Sequence, residues 1–328
     1  MMVHEVKPER RTLHGRYSPT LEPAVIVRSG DVLRCTTLDV SWSDQRRDAS
    51  GHRPTFGPRE SPRDDGPALL GPIVIEEARR GMVVDVHLRA IVPASHGWTY
   101  AGELGPLNRD VARSLGVGDL PPLLLRWEFD RDGTSAVSDS GHRVTLRPFL
   151  GMLGTCPAVT GAWADGWTPR VCGGNLDCRE LVAGSVVTLP VEVDGAFLSL
   201  GDGHATQGDG EVGGSAIECA MERVEMQVVA RMPTTRESRS MRVRALSPAG
   251  MVSFGFAESL DGAAADAVND MLDLVMEAHA VSRREALGLV SVAGHVRVTQ
   301  IANGVRGVHV LLPHGAIGSA GEVSRMPS

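Results

Sequence analysis

Three stretches of the chain share an alternating strand pattern interrupted by a glycine turn, and this pattern constrains the fold most. They read PAVIVRSGDVLRCTTLDV (23–40), GPIVIEEARRGMVVDVHLRAIVP (71–93) and RELVAGSVVTLPVEVDGAFLSLGD (179–202). Each has an apolar strand, a turn and a second strand whose apolar and polar positions alternate. We interpret the three stretches as weak internal repeats of a β-hairpin, although unrelated hairpins also resemble one another.

The last third of the chain changes to a helical pattern. Residues 258–280 place apolar side chains at helical spacing, and Ser282-Arg-Arg-Glu285 fits a capping box that opens a second helix through Val292. Residues 295–301 and 308–313 return to strand character. The sequence therefore predicts a β-rich α+β fold.

The expected organisation is a β-sandwich or barrel-like body built from hairpin repeats, with a smaller α+β portion at the C-terminal side. We divide the chain into an N-terminal arm, a β-rich body that carries the active site, an α+β portion and a flexible tail. Their bounds are 1–20, 21–219, 220–314 and 315–328. Within the body, the Pro-, Gly- and charge-rich residues 42–68 are predicted to form a polar loop.

Charge and cysteine content exclude several classes of protein. The net charge of −7 provides no basic field for nucleic acid or an anionic membrane. The first residues lack the apolar core of a secretory signal, and no run of 18 apolar residues occurs. The five cysteines are odd in number and form no CxxC pair. We therefore expect a cytoplasmic protein with reduced thiols.

Lysine is almost absent, and this excludes familiar catalytic designs. Lys7 is the only lysine, and it lies in the polar N-terminal segment. Arginine cannot replace lysine as a catalytic base because its guanidinium effectively never deprotonates. The Ser-Ser-Lys and Glu-Lys-Cys amidase designs are therefore unsupported. No GK[ST] phosphate-binding loop and no GxSxG nucleophile elbow occurs either.

Chemistry-bearing residues concentrate between residues 147 and 219. Asn175-Leu-Asp177 and Asp202-Gly-His204 each place two ligand-type side chains at i and i+2, which lie on one face of an extended chain. Gln207-Gly-Asp-Gly-Glu211 is an acid-rich turn. Acids together with histidine suit zinc, whereas oxygen-only ligation favours calcium or magnesium. The same residues are also typical of turns capped by Asx bonds, without any ligand.

The longer motifs resemble the acetamidase/formamidase family. The similarity lies in GGNLDCREL (173–181), LSLGDGHATQGDGE (198–211), AIE (216–218), RPFLGMLGTCPA (147–158) and weaker segments that include GWTYAGELG (97–105), and it extends from about residue 12 to 318. The resemblance implies a β-rich fold with an α+β portion, a dimer or trimer-based homo-oligomer, and hydrolysis of formamide, acetamide or a related short amide.

Three departures from the family pattern are visible. Gly213 and Gly214 follow Val212 where some members carry a cysteine, which favours metal-activated water over a thiol nucleophile. Gly81-Met82 replaces a common Gly-Asp turn. The loop 42–68 is individual to this chain, and we expect it to alter substrate access.

These residues suggest a mechanism. The predicted metal ligands, for zinc first and calcium second, are Asp177, Asp202 and His204, with Asp39 and Glu218 as secondary candidates. Glu211 is the predicted general base and then acid, with Asp209 as a second catalytic candidate. The residues assigned to substrate binding are Asn175, Gln207, His14 and Trp98. Three alternatives stay open: a non-catalytic metal- or small-molecule-binding module, a hydrolase of substituted or cyclic amides, and a structural oligomer scaffold.

Overall fold

The computed structural model describes residues 1–102, 112–118, 120–158, 161–235 and 237–318, and strands dominate this part of the chain. In chain order the strands are β1 (Val3–Val6), β2 (Leu13–His14), β3 (Arg16–Tyr17), β4 (Val25–Val27), β5 (Val32–Thr37), β6 (Leu69–Ile75), β7 (Val83–Pro93), β8 (His96–Ala101), β9 (Leu123–Phe129), β10 (Ser135–Ser138), β11 (Arg143–Thr145), β12 (Phe149–Gly154), β13 (Ala164–Asp165), β14 (Gly173–Asn175), β15 (Val186–Pro190), β16 (Leu198–His204), β17 (Glu218–Cys219), β18 (Met221–Arg231), β19 (Arg244–Ser247), β20 (Gly250–Ala257), β21 (His295–Gln300) and β22 (Arg306–Pro313). Two α-helices, α1 (Leu260–His279) and α2 (Arg283–Ala293), lie between β20 and β21, and a short 3₁₀ turn spans Glu237–Arg239.

The strands form two large open sheets and one small one. The nine-stranded sheet has the order β1-β5-β18-β7-β15-β19-β20-β22-β21. The eleven-stranded sheet has the path β11-β10-β9-β8-β17-β16-β12-β14, with β6 paired to β16 and with β2 and β4 paired to β6. One buried hydrophobic cluster contains residues of both sheets, such as Val86 of the first and Leu200 of the second. The β-rich α+β expectation is confirmed, and the body is a two-sheet structure that does not close into a barrel.

The hairpin repeats predicted from the sequence are wrong. In each of the three stretches the two strands belong to different large sheets: β4 and β6 lie in the eleven-stranded sheet, whereas β5 and β7 lie in the nine-stranded sheet, and β15 and β16 are likewise separated. The turn therefore carries the chain from one sheet to the other. Alternation of apolar and polar residues reports which face of a strand is buried, but it does not report whether the next strand pairs beside it or faces it.

The helical predictions are confirmed. Ser259 caps α1 by accepting a hydrogen bond from the Gly262 amide at 3.1 Å, and Ser282 caps α2 by accepting one from the Glu285 amide at 3.3 Å. Both helices pack on the nine-stranded sheet through a second buried cluster that includes Met271. None of the described helices is long and apolar enough to cross a membrane.

The proposed domain bounds correspond to no break in the sheets. Residues 1–20 hold β1, β2 and β3, and β1 pairs in parallel with β5. The nine-stranded sheet combines strands from before and after the boundary at 219/220. Residues 42–68 contain no helix or strand. Residues 319–328 of the predicted tail lie outside the described residues, and the division into four segments stays a prediction.

Candidate active site

A cavity of about 540 Å³ opens beside β16 in the eleven-stranded sheet. Its walls combine four acidic side chains, three aromatic side chains and one arginine. These residues come from strands and loops that are far apart in the chain. The described lining residues include Val40, Arg47, Trp98, Tyr100, Trp167, Asn175, Asp177, Asp202, Glu211, Ser215, Glu218 and Asn303. The cavity therefore contains most of the residues that the sequence marked for chemistry.

Strand pairing brings the ligand-type side chains of the cavity together. Asp202 and His204 end β16, and His204 pairs across to Glu218 of β17. On the other side, β16 pairs with β12, which pairs with β14, where Asn175 is the last residue. Asp177 follows two residues after Asn175. Three neighbouring strand pairs, β14–β12, β12–β16 and β16–β17, therefore bring together residues as far apart in the chain as Asn175 and Glu218, which are 43 positions apart.

Three acids of the cavity adopt the left-handed backbone region, which non-glycine residues rarely occupy. Asp177, Asp202 and Glu211 have φ values of 47°, 53° and 44°. Such a conformation costs on the order of 1–3 kcal/mol and persists only where the surrounding structure holds it. Asp202 therefore interrupts regular strand geometry, and its convergence with His204 depends on more than the i, i+2 spacing of an extended chain.

Gly151 of β12 leaves the space in which these side chains meet. A Cβ atom at Gly151 would lie 2.6 Å from Asp202 Oδ2, 2.8 Å from Asp177 Oδ1 and 2.8 Å from His204 Cε1. The Gly151 carbonyl also accepts hydrogen bonds from the amides of Leu176 and Asp177, at 2.8 and 3.0 Å. No other residue type fits this position without displacing the cluster, because carbon and oxygen atoms do not approach so closely.

The centre of the cluster holds buried polar atoms that lack hydrogen-bond partners. His204 Nε2 lies 3.1 Å from Asp202 Oδ1 and 3.3 Å from Glu218 Oε2. Within the described part of the chain, these three atoms, together with Asp177 Oδ1 and Asn175 Oδ1, make no hydrogen bond of acceptable geometry. Buried polar atoms are almost always satisfied, so five unsatisfied atoms in one place indicate that a ligand belongs there.

Gln207 determines the tautomer of His204. The Gln207 amide nitrogen donates to the carbonyl oxygen of Asp177 at 2.8 Å, which leaves its Oε1 facing His204 Nδ1 at 2.9 Å. An amide oxygen can only accept, so Nδ1 carries the proton and donates it. In the neutral ring, Nε2 then presents a lone pair to the two carboxylates, which is the arrangement of a metal-binding histidine.

Burial and mutual repulsion shift the pKa values of the acids in the cluster. Burial, aided by the charge of Asp202, raises the pKa of Asp177 to about 7. Burial also raises the pKa of Asp202 to about 6, although His204 opposes the shift. Burial and Asp177 raise the pKa of Glu211 well above its usual range. These acids are therefore costly to keep ionised unless protons or a cation neutralise them.

The donor set fits a divalent cation. Two overlapping groups have ligand atoms that all lie within 4.8 Å of one another, namely Asp177 with His204 and Glu211, and Asp202 with His204 and Glu218. Both groups are buried and share the histidine whose Nε2 is unprotonated in the neutral ring. Carboxylates and one imidazole are ligand types that zinc and similar divalent metals accept.

Known proteins resemble this chain in both sequence and fold. Residues 158–269, which include the central part of the cluster, match the model of the Acetamidase/Formamidase family. The acetamidase of Mycolicibacterium smegmatis is 26% identical over 258 residues, which span 61% of this chain and 61% of that relative. The crystal structure of an acetamidase from Bacillus halodurans superimposes with a TM-score of 0.79 at 27% identity, covering 94% of this chain and 97% of the other. The chain is therefore similar to the acetamidase/formamidase family, in sequence over its central third and in fold over most of its length.

A second relative shows a short segment of higher identity. The formamidase of Methylophilus methylotrophus is 52% identical over 44 residues, which make up 13% of this chain and 11% of that protein. The curated relatives therefore match over at most 61% of their own length. The structural match is more extensive, and it places the whole β-rich arrangement within the family fold.

Asp39 lies outside both candidate cation groups. Its carboxylate accepts a hydrogen bond from Trp98 Nε1 at 2.7 Å and forms a buried ion pair with Arg53 of the loop 42–68. The amide of Ser41 also donates to it, at 3.0 Å. Asp39 thus lies behind the cavity wall, where it holds Trp98. The ion pair with Arg53 balances its charge, so the carboxylate is not available as a cation ligand.

His14, Asp209 and Gln207 take other positions than the sequence suggested. His14 is buried and is not among the described lining residues of the cavity. Its ring nitrogens lie 2.9 Å from the Arg16 carbonyl oxygen and 3.0 Å from Ser199 Oγ, and burial lowers its pKa to about 4. Asp209 is exposed, 3.8 Å from Arg297. Gln207 contacts His204 and the backbone. Its side chain therefore orients the imidazole of His204 and is not directed at a substrate. Trp98 and Asn175 do line the cavity.

Several cavity residues were not identified from the sequence. Asn303, in the loop between β21 and β22, donates from Nδ2 to Asp177 Oδ2 at 2.6 Å. Its segment, Ile-Ala-Asn-Gly, resembles an ordinary turn and carries no signal of a site. The sequence did not indicate Arg47 and Trp167, which line the cavity, or Gly151, which lies against the acids. Only tertiary contacts give these residues their places.

The cysteines do not supply a nucleophile in the described structure. All five are free and buried. Burial raises the pKa of the Cys156 and Cys172 thiols to about 12 and raises that of Cys219, which lies on β17 beside the site, well above its usual range. Thiols that stay protonated at neutral pH are poor nucleophiles.

Replacing Gln207 tests its role in orienting His204. We expect Gln207→Leu to lower the affinity for a divalent cation by about 10- to 100-fold, because Nδ1 loses its acceptor and Nε2 loses its fixed orientation. Gln207→Glu retains an acceptor for Nδ1 and should recover part of the affinity. Competition with a chromophoric chelator measures both variants. Unchanged affinity in Gln207→Leu would show that His204 is oriented by other contacts.

Proposed function

We propose that this protein hydrolyses a primary amide to ammonia and a carboxylate in the cavity beside β16. The observation that carries the proposal is the set of five buried, unpaired polar atoms in a cavity lined by acids and one histidine. Similarity to this family supports the reaction class, since the relatives that match bear the names acetamidase and formamidase. Formamide and acetamide are the reference substrates.

The residues that would hold a divalent cation are Asp177, Asp202, His204 and Glu218. Zinc is the proposed ion because an imidazole joins the carboxylates, and calcium is the second choice. When bound, such a cation supplies Lewis acidity, which polarises a carbonyl group and lowers the pKa of water to about 7. Gln207 keeps the His204 proton on Nδ1, so that Nε2 remains free to ligate.

Asn175 is the proposed anchor for the amide group of the substrate. Its side-chain oxygen is buried, unpaired and part of the cavity wall. A primary amide offers two N–H donors, and an unpaired carbonyl oxygen is the acceptor that complements one of them. Binding at Asn175 would therefore orient the substrate nitrogen toward the acids of the cluster.

Glu211 is the proposed proton carrier. Its carboxylate lines the cavity and belongs to one of the two acidic groups around His204. A carboxylate in this place can accept a proton from the attacking water and return it to the departing nitrogen, which becomes ammonia. Such proton transfer contributes roughly 10²- to 10⁴-fold to rate. The homo-oligomeric assembly and the cytoplasmic location expected from the sequence stay predictions.

Metal removal tests the proposal directly. We expect purified protein to contain a divalent cation and to release ammonia from formamide or acetamide, and we expect dialysis against a chelator to reduce both to background. Adding back zinc should restore the activity more fully than adding calcium. Full activity in rigorously metal-free protein would contradict the role of the cation, and no ammonia from any short amide would contradict the reaction.

A further inference from the structure

The cavity is much larger than the reference substrates need. Pockets of roughly 300–1,000 Å³ accommodate drug-sized molecules, and this one measures about 540 Å³. Formamide and acetamide have only a few non-hydrogen atoms. Once the amide group is placed at Asn175 and the acids, most of the cavity is left for the rest of the substrate.

Three aromatic side chains line the cavity together with the acids. Trp98 and Tyr100 of β8 form an edge-to-face pair with ring centroids 6.2 Å apart. Trp167 lines the same cavity, and 45% of its surface is accessible to solvent. A half-exposed tryptophan at a cavity wall offers apolar surface that an aromatic ligand would cover favourably.

Arg47 of the loop 42–68 completes this wall. Its guanidinium lies over the Trp98 ring, with Cζ 4.4 Å from the ring centroid. Within the described residues it has no carboxylate partner, and its one hydrogen bond is donated from Nη1 to the Gly51 carbonyl oxygen at 2.9 Å. The flat guanidinium thus extends the aromatic surface of the cavity and keeps donors available.

The charge balance favours a neutral substrate. Asp177, Asp202, Glu211 and Glu218 face the cavity, whereas Arg47 is the only cationic side chain among the described lining residues. A bound divalent cation would offset two of these four negative charges, so the cavity would still have no net positive charge to attract an acyl group with its own carboxylate. An uncharged aromatic ring needs no such charge and stacks on indole and guanidinium surfaces.

We propose that the acyl group of the substrate is a neutral aromatic ring that lies against Trp167 and the Arg47–Trp98 stack. This inference rests on the proposed amide hydrolysis and specifies its substrate class as aromatic primary amides. Benzamide is the simplest member. Hydrolysis breaks its C–N bond, adds the elements of water, and yields benzoate and ammonia.

Kinetics of ammonia release with benzamide, acetamide and succinamate test the substrate class. We expect benzamide to have the highest kcat/KM of the three. Trp167→Ala should lower the benzamide-to-acetamide ratio of kcat/KM by about 2- to 12-fold, the range for one aromatic contact. Trp167→Phe, which keeps a ring, should recover most of the ratio.

Arg47→Met tests the stack, and Arg46→Met is its matched control. Arg46 is the neighbouring residue, but it is exposed, forms an ion pair with Glu128 and is not among the lining residues of the cavity. We expect Arg47→Met to lower the benzamide-to-acetamide ratio and Arg46→Met to leave it unchanged. Equal effects of the two variants would overturn the assignment of the stack.

Calorimetric binding of benzamide to the Glu211→Gln protein separates this inference from the proposed function. Binding at least 10-fold tighter than that of acetamide supports aromatic recognition even if no amide is hydrolysed. Hydrolysis of acetamide without binding or turnover of benzamide overturns the inference and leaves the proposed function intact. A preference for succinamate that Arg47→Met abolishes would replace the aromatic ring by an anionic acyl group.

Discussion

Glu211→Gln is expected to lower kcat for amide hydrolysis by about 10²- to 10⁴-fold while the protein keeps its bound cation. The amide side chain has nearly the same shape as the carboxylate, but it cannot accept the proton of the attacking water. Glu211 lines the cavity and approaches Asp177 and His204, so the loss concerns the reacting centre and not the fold. Ammonia release measures the rate, and elemental analysis measures the cation.

Asp209→Asn, which likewise replaces a carboxylate by its amide, is the matched control for Glu211→Gln. Asp209 lies two residues away in the same acid-rich turn, but it is exposed and near Arg297, outside the described lining of the cavity. We expect Asp209→Asn to retain a rate near that of the unchanged protein. Loss of the cation in Glu211→Gln would reassign Glu211 from proton carrier to ligand, and a rate unaffected by Glu211→Gln would remove it from the mechanism.

Gly151→Ala is expected to reduce the hydrolysis rate by on the order of 10²-fold, because a displacement of about 1 Å in a catalytic group costs that much. The new Cβ would meet side-chain atoms of Asp202, Asp177 and His204 at 2.6–2.8 Å. One or more of the three must move, so we also expect weaker cation binding. Overpacking of this kind costs roughly 1–3 kcal/mol in the free energy of unfolding.

Gly208→Ala is the control for this substitution. A Cβ at Gly208, close to the site in the same turn as Glu211, would meet nothing within 4 Å. We expect it to bind the cation and hydrolyse amides like the unchanged protein. Denaturant unfolding of both variants separates instability from a distorted site. Full activity in Gly151→Ala would mean that the cluster adapts to the added methyl group without loss.

Local sequence signals predicted the secondary structure well where neighbouring residues determine it. The helix cap at Ser282 and the apolar stripe of α1 depend on residues three or four positions apart. Strand character likewise follows from alternation along each strand. The hairpin prediction failed because pairing between strands is a long-range choice, and the same turn can join two strands of one sheet or of two facing sheets.

The candidate site was predicted in part for a similar reason. Asp202 and His204 are two residues apart, and the acid-rich turn that contains Glu211 is short, so a local pattern could identify them. Glu218, a secondary candidate from the sequence, reaches the site through the pairing of β16 with β17. The structure adds Asn303, from a loop 126 residues after Asp177. Asp39 shows the opposite case, since the buried ion pair with Arg53 occupies a carboxylate that the sequence suggested as a ligand.

The sequence by itself determined a β-rich chain with two helices near its C-terminal end, the second opened by a capping box. It also determined a concentration of acids and histidine between residues 175 and 218 and the absence of any internal lysine for catalysis. The tertiary structure decided which of these residues meet, namely the cation cluster around His204, the space that Gly151 leaves for it, and the aromatic wall completed by Arg47. The physical reason is range: caps and periodicity arise from neighbours a few residues apart. A cavity depends on the order in which distant strands pair, and residue spacing does not encode that order.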